Sequence, residues 1–240
     1  MTHVFHKSRT IKNRISNGHL TMQILGNGIY TFQEAGSLTR LSTARIKSWF
    51  DRVHSKDGPV FSGDYEWQKI VSFLDLIEVL VAGNLRNCGI SLAKIRKIHH
   101  LLSRQFDTKH PFCHSQLFAF GQKVFMEAVK KSGEEEIIEV LTSQRVFPEI
   151  LMPYLNRVTY DSTSMLAKSW DIYDGVTIDP ERHFGKPIVA RCAMATAILF
   201  KSYAANGKNP NLVASWYGVT EDDVNAAVQF ETHYLKRRAA

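Results

Sequence analysis

The sequence predicts an α+β fold, mainly α, with an N-terminal winged helix-turn-helix and a small C-terminal helical unit, itself helix-turn-helix-like. Three observations predict it. Two short helix signatures meet at a tight turn over Thr31–Trp49. β-prone pieces framed by Asp57-Gly58-Pro59 and Ser62-Gly63-Asp64 follow at once. Apolar residues then recur at helical spacing through residues 72–105 and again near the C-terminus.

Residues 1–28 are polar, basic and punctuated by glycine, and are expected to form a partly ordered tail. Thr31-Phe32-Gln33-Glu34 has the form of a capping box: the hydroxyl accepts from the Glu34 N–H and the carboxylate reaches back to the Thr31 N–H. A helix over about Phe32–Leu38 follows. Thr39-Arg40-Leu41 supplies a turn, and Ser42 is a good N-cap for a second helix over about Thr43–Arg52. Ile46, Trp49 and Phe50 fall three and four apart and form its inward face, leaving Thr43, Arg45 and Lys47 largely off that face. Pro59–Phe61 and Trp67–Val71 are the expected strands of a β-hairpin in the position of a wing.

Residues 72–105 read as a helix pair. Phe73, Leu76, Ile77, Leu80 and Val81 line the first helix, Cys88-Gly89 breaks it, and Ser91 caps the second. Leu92, Ile95, Ile98 and Leu102 form an apolar stripe on that second helix, and His110-Pro111 stops any continuation. The two apolar halves of residues 116–130, either side of Gly121-Gln122, predict a second β-hairpin. Glu134–Thr142 reads as a helix, and the polar stretch 156–176 as a linker plus a strand. Residues 176–189 form an extended, turning segment. Helices then cover Ala193–Ala205, Asn209–Tyr217 with Gly218 as its stop, and a last stretch to about Leu235 capped by Thr220 and Asp223. The resulting divisions are a tail (1–28), a helix-turn-helix domain (29–110), a connecting hairpin and helix region (111–176) and a C-terminal domain (177–240).

Composition narrows the function. A hydrophobic content of 44% with 22% charged residues suits a soluble protein with a real core. Cys88, Cys113 and Cys192 are odd in number and far apart, so no disulfide framework is expected and a reducing cytoplasm fits. No export signal and no bilayer-spanning apolar run is legible. The net charge is +7, and its placement matters. Residues 1–56 carry Lys7, Arg9, Lys12, Arg14, Arg40, Arg45, Lys47, Arg52 and Lys56 against Glu34 and Asp51 only, so nine minus two accounts for the entire excess. A field concentrated at one end draws a polyanion there.

No catalytic constellation is legible. Gly185-Lys186 is followed by Pro187, so it is no phosphate loop, and no Gly-x-Ser-x-Gly elbow occurs. Glu134, Glu135, Glu136 and Glu139 fan around a helix instead of converging. His99, His100, His110, Cys113 and His114 lack the repeated spacings of zinc ligands and are expected at the surface or as caps. No enzyme activity, metal or cofactor is therefore expected. A reading helix, by contrast, needs hydroxyl and guanidinium groups at its N-terminal end. Ser42, Thr43 and Arg45 supply them, with Lys47, Arg52 and Lys56 placed to meet phosphates.

Two resemblances sharpen this expectation. Tyr30–Ala35, Leu41–Trp49, the wing, Phe73–Leu76 and Cys88-Gly89-Ile90-Ser91-Leu92-Ala93-Lys94-Ile95-Arg96 together resemble the MerR-like winged helix-turn-helix. The long dimerisation helix of effector-sensing MerR regulators is interrupted here at His110-Pro111. Ile178-Asp179-Pro180, Gly185–Val189, the helix from Ala193, and Ala214–Val224 resemble the small domain of unknown function family 433 found in VapB-type antitoxins. Where that family often has Gly-Thr-Arg, this chain has Ala190-Arg191-Cys192.

Jointly the resemblances imply an antitoxin that neutralises a PIN-like ribonuclease toxin and binds operator DNA as a homodimer. Arg182, Lys186, Arg191, Lys201, Trp216 and Tyr217 are its candidate toxin-binding residues. The alternative is a stand-alone DNA-binding transcription regulator with a small-molecule pocket in its middle region.

Overall fold

A computed structural model describes residues 26–51, 58–65, 69–133 and 151–238. The chain is α+β and mainly α, with helices surrounding two small antiparallel sheets.

Strand β1 (Tyr30–Thr31) leads directly into helix α1 (Phe32–Thr39), and α2 spans Thr43–Phe50. The capping box forms as the sequence predicts: Glu34 N donates to Thr31 Oγ1 at 3.1 Å and Thr31 N donates to Glu34 Oε2 at 2.9 Å. Arg40 ends α1 in the left-handed conformation (φ 62°), and Leu41 N donates to Gly36 O at 3.0 Å. That turn is tight because Gly36 has no side chain; a Cβ there would lie 2.6 Å from the Leu41 carbonyl oxygen. Ser42 caps α2, whose Ile46 and Trp49 are buried, while Phe50 is half-buried and stacks on Phe32. The helix stops at Phe50, two residues before the expected end, because Asp51 is already extended.

The expected wing takes another form. Pro59–Phe61 is not a strand; the N–H groups of Val60 and Phe61 both donate to Trp49 O, at 2.8 and 3.2 Å. The second piece contributes β2 (Ile70–Val71), which pairs with β1 in the register Tyr30↔Val71. Val60, Phe61 and Tyr65 are buried, so burial of this loop against α2 prevails over pairing between its own ends.

Helices α3 (Phe73–Asn87) and α4 (Leu92–Phe106) are the predicted pair, capped by Ser72 and Ser91 and separated at Gly89 (φ 86°). Ile95, Ile98 and Leu102 are fully buried. A 3-10 turn (Pro111–Cys113) follows, and then α5 (Ser115–Ser132) occupies the segment expected to be a hairpin. Leu117, Ala128 and Val129 are its buried contacts, spaced by three helical turns. Short apolar runs do not separate strand from helix by themselves, and here length and packing against α4 decide for helix. The helix expected over Glu134–Thr142 lies outside the described residues.

A one-turn helix, α6 (Met152–Leu155), precedes a four-stranded antiparallel meander: β3 (Val158–Tyr160), β4 (Ala167–Tyr173), β5 (Val176–Ile178) and β6 (Ile188–Val189), in that order. The stretch expected as a linker plus a strand thus supplies two of the four strands of a sheet. Trp170 sits at its centre, 4% exposed, opposite Val158 and Ile178. Asp174-Gly175, with Gly175 at φ 75°, turns β4 into β5. Residue 177 lies inside β5, so the sheet runs across the expected domain division.

Helices α7 (Thr196–Ala205), α8 (Pro210–Tyr217) and α9 (Glu221–Arg238) complete the chain. Leu199, Val213, Val224 and Ala227 form a small core among them. Phe230, further along α9, belongs instead to the large core shared by the helix-turn-helix, α3, α4 and the sheet. Among the described residues no helix is long and apolar enough to cross a membrane.

Candidate nucleic-acid interface and partner surface

Helix α2 buries one face and offers the other. Ser42, Thr43, Ala44, Arg45, Lys47 and Ser48 are all exposed. Ser42 Oγ accepts from Arg45 N at 3.3 Å, which fixes the first turn and leaves the hydroxyl proton free to donate outward. Neither Arg45 nor Lys47 is paired with a carboxylate among the described residues. Arg52 and Lys56 lie outside the described residues. Arg40, at the tip of the α1–α2 turn, is exposed and unpaired among them as well. Its position at the turn was the signal for it in the sequence.

The candidate partner residues divide into two groups. Three of the four cations have partners within the chain. Arg182 Nε lies 3.2 Å from Asp179 Oδ2. Lys186 Nζ lies 2.6 Å from Glu34 Oε1, donates to Ile29 O at 3.3 Å and sits 5.8 Å from the Tyr30 ring centroid. Burial works to raise the Glu34 carboxyl, but the hydrogen bonds from Lys186 and Thr31 outweigh it and hold the group below its ordinary range. Arg191 binds the Asp223 carboxylate bidentately, its Nε 2.9 Å from Oδ1, and also reaches Thr220. It thereby ties the turn after β6 to the start of α9. A cation so held serves the fold first, for a reason invisible locally: Glu34 and Asp223 are 152 and 32 positions away.

Lys201, Trp216 and Tyr217 are exposed, Trp216 to 56% and Tyr217 to 39%. Tyr217 Oη and Ser202 Oγ are 2.8 Å apart, joining α8 to α7. Leu212, one turn before Trp216, and Ile198, one turn before Ser202, are exposed too. Sequence reasoning missed both. The signal was in α7: TAILFKSYAA carries one charge and is apolar nearly all round, which a surface helix seldom is. Its Ala197, Ile198, Ala204 and Ala205 face out uncovered.

A buried polar network lies behind α1 and α2. His110, expected at the surface or as a cap, is 4% exposed. Its Nε2 is 3.1 Å from Asp64 Oδ1 and its Nδ1 is 3.9 Å from Asp75 Oδ1. Asp75 also accepts from the N–H groups of Asp64 and Ser72, both at 3.0 Å. Burial lowers the affinity of His110 for its proton, but Asp64, Glu78 and Asp75 outweigh that and raise it overall. His99, likewise buried, lies 2.9 Å from Glu78. His114 is the capping residue expected, its Nδ1 accepting from Gln116 N at 3.2 Å. Asp64, Asp75 and His110 bring three donor atoms within 4.8 Å of one another, a spacing that can hold a cation. Lys109 Nζ already sits on Asp64, so the chain itself supplies charge compensation there. All three cysteines are free thiols, and burial pushes Cys113 well above the ordinary thiol range.

The chain matches no family model and no curated protein. It is similar to a solved structure, the crystal structure of Rv2018 from Mycobacterium tuberculosis. The two are 23% identical with a TM-score of 0.67, over 83% of this chain and 96% of that one. The likeness establishes a shared fold.

Proposed function

We propose that the chain is the antitoxin of a type II toxin–antitoxin pair: it binds operator DNA through α2 and neutralises a PIN-like ribonuclease through its C-terminal helices. The observation that carries the reading is that one chain leaves two chemically distinct faces unsatisfied. One is the cationic, hydroxyl-bearing start of α2. The other is the apolar face of α7 and α8, where Ile198, Leu212, Trp216 and Tyr217 are exposed. Tryptophan and tyrosine anchor protein interfaces far more often than they decorate bare surfaces. The resemblance to VapB-type antitoxins names the partner class.

Lys201 is the cation left to meet the acidic centre of such a nuclease. Arg182, Lys186 and Arg191 would each have to give up an internal carboxylate to do so. A homodimer reading two half-sites fits the helix-turn-helix.

Co-expression with the product of a neighbouring short, aspartate-rich reading frame, followed by purification through a tag on either chain, tests the proposal. A stoichiometric complex in which the ribonuclease is silent is the expected result. A chain that purifies alone, with no nuclease neighbour, defeats it.

A further inference from the structure

A cavity of about 350 Å³ opens where the α1–α2 turn, strand β4 and the end of α9 meet. Its wall is aromatic. Phe230 stacks on Tyr234 with centroids 5.7 Å apart, Tyr173 meets Phe230 edge-on at 6.1 Å, and Trp170 lines the same space. Two guanidinium groups are among its polar groups: Arg40 enters from the turn and Arg157 from the loop before β3, with Thr39, Asp174 and His233 beside them. Arg157 Nη2 is 2.9 Å from Asp174 Oδ1, so among the described residues two guanidiniums face one carboxylate. Arg40 has no carboxylate partner among the described residues.

A packing defect between apolar elements is expected to be small and lined by aliphatic groups. This cavity has the size of a ligand site, with a hydrophobic wall and a few polar groups converging at one side. We propose that it binds a flat aromatic anion, its ring against Trp170, Tyr173 and Phe230 and its carboxylate or phosphate between Arg40 and Arg157. Planar guanidinium groups suit either anion through paired N–H donors. The proposal stands apart from the antitoxin reading, since neither α2 nor the α7–α8 face lines the cavity.

Calorimetric titration of the full chain tests it with para-hydroxybenzoate, adenosine monophosphate, inorganic phosphate and the neutral ring benzyl alcohol as probes. At least one ring-bearing anion is expected to bind saturably and at least about tenfold more tightly than phosphate or benzyl alcohol. Whichever ring anion binds better identifies the acid group. Arg40→Gln, on an exposed turn, should weaken it about tenfold, as for a lost hydrogen bond to a charged group. Ile172→Trp, which fills the cavity, should abolish it. Thermal melting of both variants separates loss of the site from loss of the fold. Absence of binding by either ring anion overturns the proposal, as does equal binding of phosphate or benzyl alcohol. So does an affinity unchanged in a folded Arg40→Gln or Ile172→Trp protein.

Discussion

Tyr30 Oη donates a 2.7 Å hydrogen bond to the carbonyl oxygen of Gly185, 155 positions further along the chain. It joins the strand that opens the helix-turn-helix to the turn that precedes β6. Beside it, Ile29 N donates to Phe184 O at 3.1 Å. Burial is the main reason the Tyr30 phenol is pushed far above its ordinary range, so it stays a donor at any working pH.

This contact predicts two losses of different size. Tyr30→Phe removes the donor and leaves a buried carbonyl without it, at a cost of about 1–2 kcal/mol. Gly185→Ala costs more, about 2 kcal/mol or above, because φ is +77° and a Cβ would lie 2.2 Å from the tyrosine oxygen. Urea denaturation measures both, and the order of the two is the check.

Gly36→Ala sets helix propensity against sterics. Alanine favours a helix interior by about 1 kcal/mol over glycine. At Gly36, however, the new Cβ would lie 2.6 Å from a backbone oxygen of the turn, which cannot swing aside as a side chain can. The variant should therefore be less stable and bind DNA more weakly. A rise in melting temperature would show that the turn relaxes freely.

Arg45→Ala and Trp216→Ala should separate the two proposed activities. Both residues are exposed, so the fold should survive each change. Arg45→Ala is expected to cost about 1–3 kcal/mol of binding to DNA from upstream of the gene and to leave neutralisation intact. Trp216→Ala should do the reverse, with about 2 kcal/mol or more lost from the protein complex. Mobility-shift and ribonuclease assays on both proteins decide it, and a variant that loses both activities while folded would falsify the division.

His110 makes stability depend on pH in a stated direction. Its folded-state proton affinity is raised, so its contribution is complete below the unfolded value near about pH 6.5 and is lost as pH climbs through the raised value. Asp64, held low against burial by His110, Lys109 and Ser72, acts at the acid end: its contribution is present above its unfolded value and lost as pH falls. Asp75, raised mainly by burial, also favours the folded state at lower pH. His110→Gln should flatten the decline in stability between about pH 6 and 8. Denaturation midpoints across that range read the slope directly, and an unaltered slope assigns the proton to another group.

The local features were legible because their causes are local. The caps at Thr31, Ser42 and Ser91 each depend on three or four consecutive residues, and so does the turn at Arg40. Of the meander, only one strand and an extended segment were legible. Its strands are short, and its registers shift between Thr159 and Tyr160 and between Trp170 and Tyr173, which breaks the two-residue alternation that marks a strand. Helix α5 was hidden by an apolar run that suits either structure. At the sites, the exposed face of α2 followed from periodicity. The fates of Lys186, Arg191 and His110 did not, because each is set by a carboxylate distant in sequence.

The large core carries a consequence for how this protein can be taken apart. Tyr30, Leu38 and Ile46 from the head, Trp170 and Ile178 from the sheet, and Phe230 from the last helix all bury into it. A fragment ending before β5 would leave Trp170 without its Ile178 neighbour and the head without Phe230. Truncation therefore cannot isolate the proposed DNA-binding surface from the proposed partner-binding surface. Any separation of those roles has to be written in single surface side chains, and a graft of the head onto another protein would have to carry the sheet and the final helix with it.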